Sequence, residues 1–193
     1  MLLLTIPSQA SSDDNHILEE VVLAQQNITC LHAQFVQSKV SDIFVEPQVA
    51  HGWMLLRKPG FLRWQYTAPQ ATGVLMQDGQ AYQLTLEQNE HENLSPASTA
   101  INMLMRCILE WMVMDLPILR QKYHIRLLPA SAPVIEFKPI GNQAIPIEAL
   151  IIEFTQDCQL VKQVTVCEKS GDQTTITFSE HEINFSQPAV GVQ

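Results

Sequence analysis

The chain has 193 residues, 46% hydrophobic and 16% charged, with 11 basic against 20 acidic side chains and a net charge of −9. Such a length and composition describe one folded domain with a sizeable core rather than a disordered chain. The acidic balance, with no basic run longer than Arg57-Lys58, argues against nucleic acid and against a bare anionic membrane surface, since both need clustered Lys and Arg.

No apolar run reaches the ~18 residues that a bilayer span requires. Met1 to Ile6 followed by Pro7-Ser8-Gln9-Ala10-Ser11 reads either as the end of a signal peptide lacking its basic start or as an ordinary tail. Residues 1–12 are therefore set apart as a leader remnant or disordered tail, and 13–193 as a single domain. Asp13 or Asp14 can cap a helix running to about Asn27, with Ile17, Leu18, Val21, Val22 and Ala24 inward and Glu19, Glu20, Gln25 and Gln26 outward. Leu31 to Val40 alternates as a half-buried strand, Phe35 falling with Leu31 and Ala33 on its core face.

Gly52–Arg57 and Phe61–Tyr66 read as strands joined by a Lys58-Pro59-Gly60 turn. Leu62, Trp64 and Tyr66 share one face of the second strand, and Pro69 ends it. Asp78-Gly79, between VLMQ (with Met76) and QAYQL, is a hairpin signal, because both central residues of a type I′ turn need positive φ. Residues 88–98 are polar and read as a loop. The period then changes: Ile101, Leu104, Met105, Ile108, Leu109 and Met112 recur at helical spacing over Thr99–Met114. That helix is apolar nearly all round, so it is buried or covers something buried. Beyond Pro117 the pattern returns to strands at about Tyr123–Leu128, Val134–Pro139, Glu148–Thr155, Val161–Glu168 and Thr174–Ser179, with turns at Gly141-Asn142 and Ser170-Gly171-Asp172. The regular spacing favours one antiparallel meander with helices laid on one face.

Catalytic signatures are missing. There is no GxSxG elbow, no phosphate-cradling glycine loop, and no HExxH spacing at Glu90-His91-Glu92 or His181-Glu182. Cys30, Cys107, Cys158 and Cys167 lack CxxC spacing, which excludes a zinc ribbon. Cys158 and Cys167 either meet within one hairpin in an oxidising compartment or stay free thiols. The expectation is a protein that is not an enzyme, with no cofactor and no metal. Trp53, Phe61, Trp64 and Trp111 are each either core packing or contacts to an apolar guest, with Trp64 the best placed for contact.

The ordered set Phe35-x-Gln37, Gly52, Lys58-Pro59, Trp64-x-Tyr66-x-x-Pro69 and Asp78-Gly79 resembles the periplasmic outer-membrane lipoprotein carrier family, LolA, and Ile147 to Phe178 resembles that family's closing strands. The resemblance covers roughly residues 14–185. It implies an α+β fold, mainly β: an incomplete, highly curved antiparallel β-barrel covered by α-helices and enclosing a hydrophobic cavity. It also implies a monomeric periplasmic carrier for the acyl chains of lipoproteins or another lipid, meeting an inner-membrane release complex and an outer-membrane acceptor. By that resemblance Leu62, Trp64, Tyr66, Met76, Met105, Ile108, Leu109 and Met112 would line the cavity, and the Met103–Met112 segment would be its lid. Lys58 would stand where the family has an arginine that latches lid carbonyls, a substitution that replaces a planar fork by a point charge. The alternative is a sensor or protein-interaction domain on the same half-barrel, with its cavity filled.

Overall fold

The computed structural model describes residues 12–86, 92–141 and 146–185. Most of the expected leader, the start of the 88–98 loop and Asn142 of the Gly141-Asn142 turn lie outside the described residues. The chain forms α1 (Ser12–Gln26), β1 (Cys30–Val40), β2 (Gln48–Arg57), β3 (Phe61–Ala68), β4 (Thr72–Gln77), β5 (Gln80–Leu86) and β6 (Glu92–Pro96). It continues through α2 (Thr99–Val113), α3 (Leu116–Lys122), β7 (Tyr123–Leu128), β8 (Val134–Pro139), β9 (Ile147–Phe154), β10 (Val161–Glu168) and β11 (Gln173–Ile183).

Among the described residues, eleven strands join one sheet in the order β6-β5-β4-β3-β2-β1-β11-β10-β9-β8-β7. Every pairing is antiparallel, and all but the central β1–β11 seam join neighbours in sequence. β6 and β7 do not pair, so the sheet stays open. The helices α2 and α3 lie between these two edge strands in sequence. A connection from one edge to the other has to cross a face of the sheet, and here it covers the apolar one.

Two apolar clusters fill the space under that connection. The first takes Leu18 and Val21 of α1, Trp111 and Met114 at the end of α2, Leu119 of α3, and the inner faces of β7–β9, including Phe137, Leu150 and Phe154. The second takes Phe35, Met54, Leu56, Leu62, Trp64, Met76 and Phe178, with Met105 and Leu109 from α2. Ile108, Val161 and Val164 pack against both. An apolar helix is stable here because each of its sides meets a different core.

Local chemistry explains where elements begin and end. The Asp78-Gly79 turn has φ of 52° and 76°, the pair of positive values that a type I′ hairpin requires. Ser98 caps α2, its hydroxyl accepting from the Ile101 N–H at 3.3 Å, and Met114 ends the helix in the left-handed region with its N–H on the Glu110 carbonyl.

The structure corrects three expectations and decides between the two readings of Cys158 and Cys167. Residues 92–96 are an edge strand paired with β5, not part of a loop. Beyond Pro117 the chain forms a helix before the strands return: Asp115 caps α3 by accepting from the Ile118 N–H, and a proline in the first turn lacks only an N–H that has no helical partner. Gln25 is buried instead of facing outward. Cys158 and Cys167 are free thiols; Cys167 pairs with Ala149 at one end of the β9–β10 ladder, whereas Cys158 lies in the turn at the other.

Candidate functional site

Between the two clusters lies a cavity of about 430 Å³, within the ~300–1,000 Å³ typical of small-molecule sites. Its roof is one stripe of α2, formed by Ile101, Met105, Ile108, Met112 and, a turn apart, Trp111. Its first wall is Met54 and Leu56 of β2, Trp64 and Tyr66 of β3, and Val74 of β4. Its second wall comes from β9–β11: Ile152, Phe154, Val164, Val166, Ile176 and Phe178. The ladders explain the sharing, since Met54 pairs with Trp64, Trp64 with Val74, and Val164 with Ile176, and paired residues project to the same face of a sheet.

Five of the eight residues singled out from sequence (Trp64, Tyr66, Met105, Ile108 and Met112) border the cavity. The other three, Leu62, Met76 and Leu109, are buried in the second cluster and do not border it. Phe35 is core and supports the wall: it stacks on Trp64 and meets Tyr66 and Phe178 edge-on. Trp111 is at the roof, whereas Trp53 lies beneath the Arg63 guanidinium and beside the His32 ring, and Phe61 lies beneath Arg57. Sequence reasoning missed the whole second wall. The alternation of Val164 with Val166 and of Thr174, Ile176 and Phe178 was its signal, but the same pattern describes ordinary core.

The charged and amide side chains that border the cavity lie at the two ends of β1. At one end Gln37 and Lys39 extend the inward row of Leu31, Ala33 and Phe35. The Gln37 side-chain oxygen accepts from the Tyr66 hydroxyl at 2.9 Å. Lys39 bridges Glu168 at 2.9 Å and Asp172 at 3.1 Å, and these two hydrogen bonds, the Glu168 bond first, raise its pKa above the ordinary lysine value. The Tyr66 hydroxyl is pushed up by burial.

At the other end the last turn of α1 meets both halves of the sheet. The Gln25 amide donates to the Cys158 and Gln159 carbonyls of the β9–β10 turn at 3.0 and 2.9 Å. Its backbone carbonyl accepts from the Lys58 ammonium, in the β2–β3 turn, at 2.5 Å. Lys58 thus bonds α1 and not α2. Burial without a carboxylate pushes its pKa below the ordinary lysine value.

α2 is held by a separate set of bonds. Asn102 accepts from the Ala81 N–H at 2.8 Å and donates to the Ala97 carbonyl at 2.9 Å, and Arg106 donates to the Gly79 carbonyl at 2.9 Å. Among the described residues there is no cluster of three or more metal-ligating side chains, and no helix is long and apolar enough to cross a membrane.

Among solved structures, the chain is similar to MucB at 14% identity and a TM-score of 0.56, over 95% of this chain and 63% of that one. It is similar to a chain of the Pseudomonas aeruginosa MucA/MucB complex at 13% identity and a TM-score of 0.52, over 92% and 59%. This chain therefore spans about three fifths of the length of those two neighbours. A LolA superfamily protein of Nitrosomonas europaea aligns at 10% identity and a TM-score of 0.46, over 91% of this chain and 94% of that one. At such identities the likeness to MucB concerns the fold alone. No curated protein matches the chain. The family described as outer membrane lipoprotein carrier protein LolA matches residues 26–189. An open antiparallel sheet roofed by an apolar helix thus coincides with a family match over most of the chain, which belongs to the LolA family of non-enzymatic periplasmic lipoprotein carriers.

Proposed function

We propose that this protein, as one domain over residues 13–193, shields the acyl chains of a lipoprotein or another lipid in the cavity under α2. It would carry them across the periplasm between an inner-membrane release complex and an outer-membrane acceptor. The observation that carries this reading is the apolar cavity of about 430 Å³ between two packed clusters. Exposing an acyl chain to water costs ~0.8 kcal/mol per methylene, so a dry wall gives the transfer its driving force. Methionine side chains repack around flexible guests, which suits Met105 and Met112 in the roof. Trp64, Tyr66 and Ile108 would touch the chain, with Leu62, Met76 and Leu109 packed behind them, and Lys58 would latch α1 across this end of the cavity.

Protein purified without detergent should carry lipid-sized adducts in native mass spectrometry, or take up a fluorescent acyl probe in the micromolar range. Failure of both overturns the carrier reading. A sensor or protein-interaction domain is the second reading, drawn from the fold shared with MucB, a protein solved in complex with MucA. It predicts a stable protein partner in an envelope extract and no lipid exchange. The cavity favours the carrier, because an interaction domain with a filled interior leaves no such space.

A further inference from the structure

Two lysines border the cavity, one at each end of β1, and their surroundings differ. Lys39 faces two carboxylates, Glu168 and Asp172. Lys58 is half-buried, and among the described residues no carboxylate lies within ion-pairing distance of it. Its hydrogen bond goes to the Gln25 carbonyl, a neutral group that uses one of three ammonium hydrogens. A cation taken partly out of water is favoured by a full counter-charge more than by a carbonyl dipole. The helix C-terminus offers Lys58 only a partial negative charge.

Size narrows the guest further. At about 30 Å³ per methylene-sized group, the share of one water in the liquid, a 430 Å³ cavity holds roughly fourteen such groups. That is room for one acyl chain in this state of the molecule, not for three. The cavity also reaches from Lys58 to Lys39. These residues flank opposite ends of β1, because Arg57 pairs with Cys30 and Gln48 with Lys39.

We propose that Lys58 is the head-group site for a single-chain anionic amphiphile, a long-chain carboxylate, whose tail runs through the cavity beneath α2 toward Lys39. This rests on the reading of the cavity as an acyl site and adds the charge and the chain number of the guest. The carboxylate replaces water on the free ammonium hydrogens of Lys58, and the tail covers Met54, Leu56 and Trp64. The Lys39 end does not compete for the head, because Glu168 and Asp172 already neutralise that lysine and repel a second anion.

The test compares palmitate with its methyl ester, two ligands of one chain length and different charge, as competitors of a fluorescent acyl probe at neutral pH. Wild-type protein is expected to bind the acid about tenfold more tightly than the ester, the value of one charge-assisted bond. Lys58→Gln should bring the ratio to one, Lys58→Arg should keep it, and Lys39→Gln should leave it unchanged. Equal affinities for acid and ester in the wild type, or a preference that survives Lys58→Gln, overturns the proposal while the carrier reading stands. A preference lost in Lys39→Gln places the head at the other end and also overturns it. If the wild type binds neither the probe nor either ligand, the carrier reading falls with it. Because Lys58 also holds α1, Lys58→Gln is judged on the ratio of the two affinities, and Lys39→Gln decides the location even if Lys58→Gln does not fold.

Discussion

Phe35 stacks on Trp64 with ring centroids 4.4 Å apart and planes inclined by 29°, although β2 lies between their two strands. Gly52 makes this possible. It pairs with Phe35 on one side and Tyr66 on the other, and with no side chain it leaves the space that the Phe35 ring crosses. A Cβ at residue 52 would lie 2.1 Å from the Gln65 carbonyl oxygen and 2.5 Å from the Phe35 ring. Trp64 therefore presents its face to the cavity because a buried ring supports it from behind.

Gly52→Ala should destabilise the protein by at least about 2 kcal/mol, since the contact is with backbone and with a packed ring, neither of which can yield cheaply. Denaturant unfolding gives the number, and tryptophan emission, compared with that of a Trp64→Phe variant, reports the ring. A loss under about 0.5 kcal/mol would show that the strands simply separate to admit the methyl group.

The sequence made the first wall and the roof readable, because period-2 aromatic residues in β3 and a period-3.6 apolar stripe in α2 are unusual enough to stand out. Three features escaped it for different reasons. β6, Glu92–Pro96, has no strand-like alternation and is a strand only because β5 offers it an edge, a tertiary cause with no local sign. α3 was hidden by Pro117, a residue that stops a helix from within but suits its first turn. Gln25 is a polar residue at a core position of α1, and only the carbonyls of a turn more than 130 residues away explain it. The cavity was implied by the family resemblance, but its second wall was not, for a similar reason: Val164 and Val166 look alike whether they face a packed core or a space.

Ile108 is the roof residue that touches both clusters. Ile108→Trp should fill the cavity from above and weaken binding of a fluorescent acyl probe by about tenfold or more, with a stability change of ~1–3 kcal/mol if the extra volume is taken partly by the cavity. Titration of the probe and thermal unfolding measure the two effects separately. Unchanged probe affinity in a folded variant would mean that the chain binds elsewhere.

The ion cluster at the Lys39 end gives a pH dependence whose sign follows from two opposite shifts. Asp172 is held below the usual carboxylate range by its bonds to Ser41 and then Lys39. Its contribution is present above the unfolded value of about 4 and is lost as pH falls through the lower folded one. Lys39 is raised, so its contribution is present below about 10.4 and is lost as pH rises through the higher folded value. Asp172→Asn should therefore be less stable than wild type at pH 6 and equal to it at pH 2, by denaturant midpoint. Since Asp172 is only partly buried and keeps contact with solvent, the difference at pH 6 should be small and should shrink further in high salt. A gap that persists to pH 2 would assign the effect to packing rather than charge.

Asn102 ties the start of the roof helix to β5. Its side-chain oxygen is the acceptor for the N–H of Ala81, which is 3% exposed, and its nitrogen returns to the Ala97 and Ser98 carbonyls at the helix start. Removing it leaves a buried N–H without an acceptor, at a cost of ~1–3 kcal/mol. That cost falls on the contact between α2 and β5, away from the cluster under β7–β9. Asn102→Ala should accordingly speed the release of a bound acyl probe several-fold, raise amide exchange at Ala81, and leave exchange in the β9–β10 ladder unchanged. Exchange that rises equally in both regions would mean that the variant loosens the whole domain, and a release rate equal to wild type would mean that α2 does not move when the guest leaves.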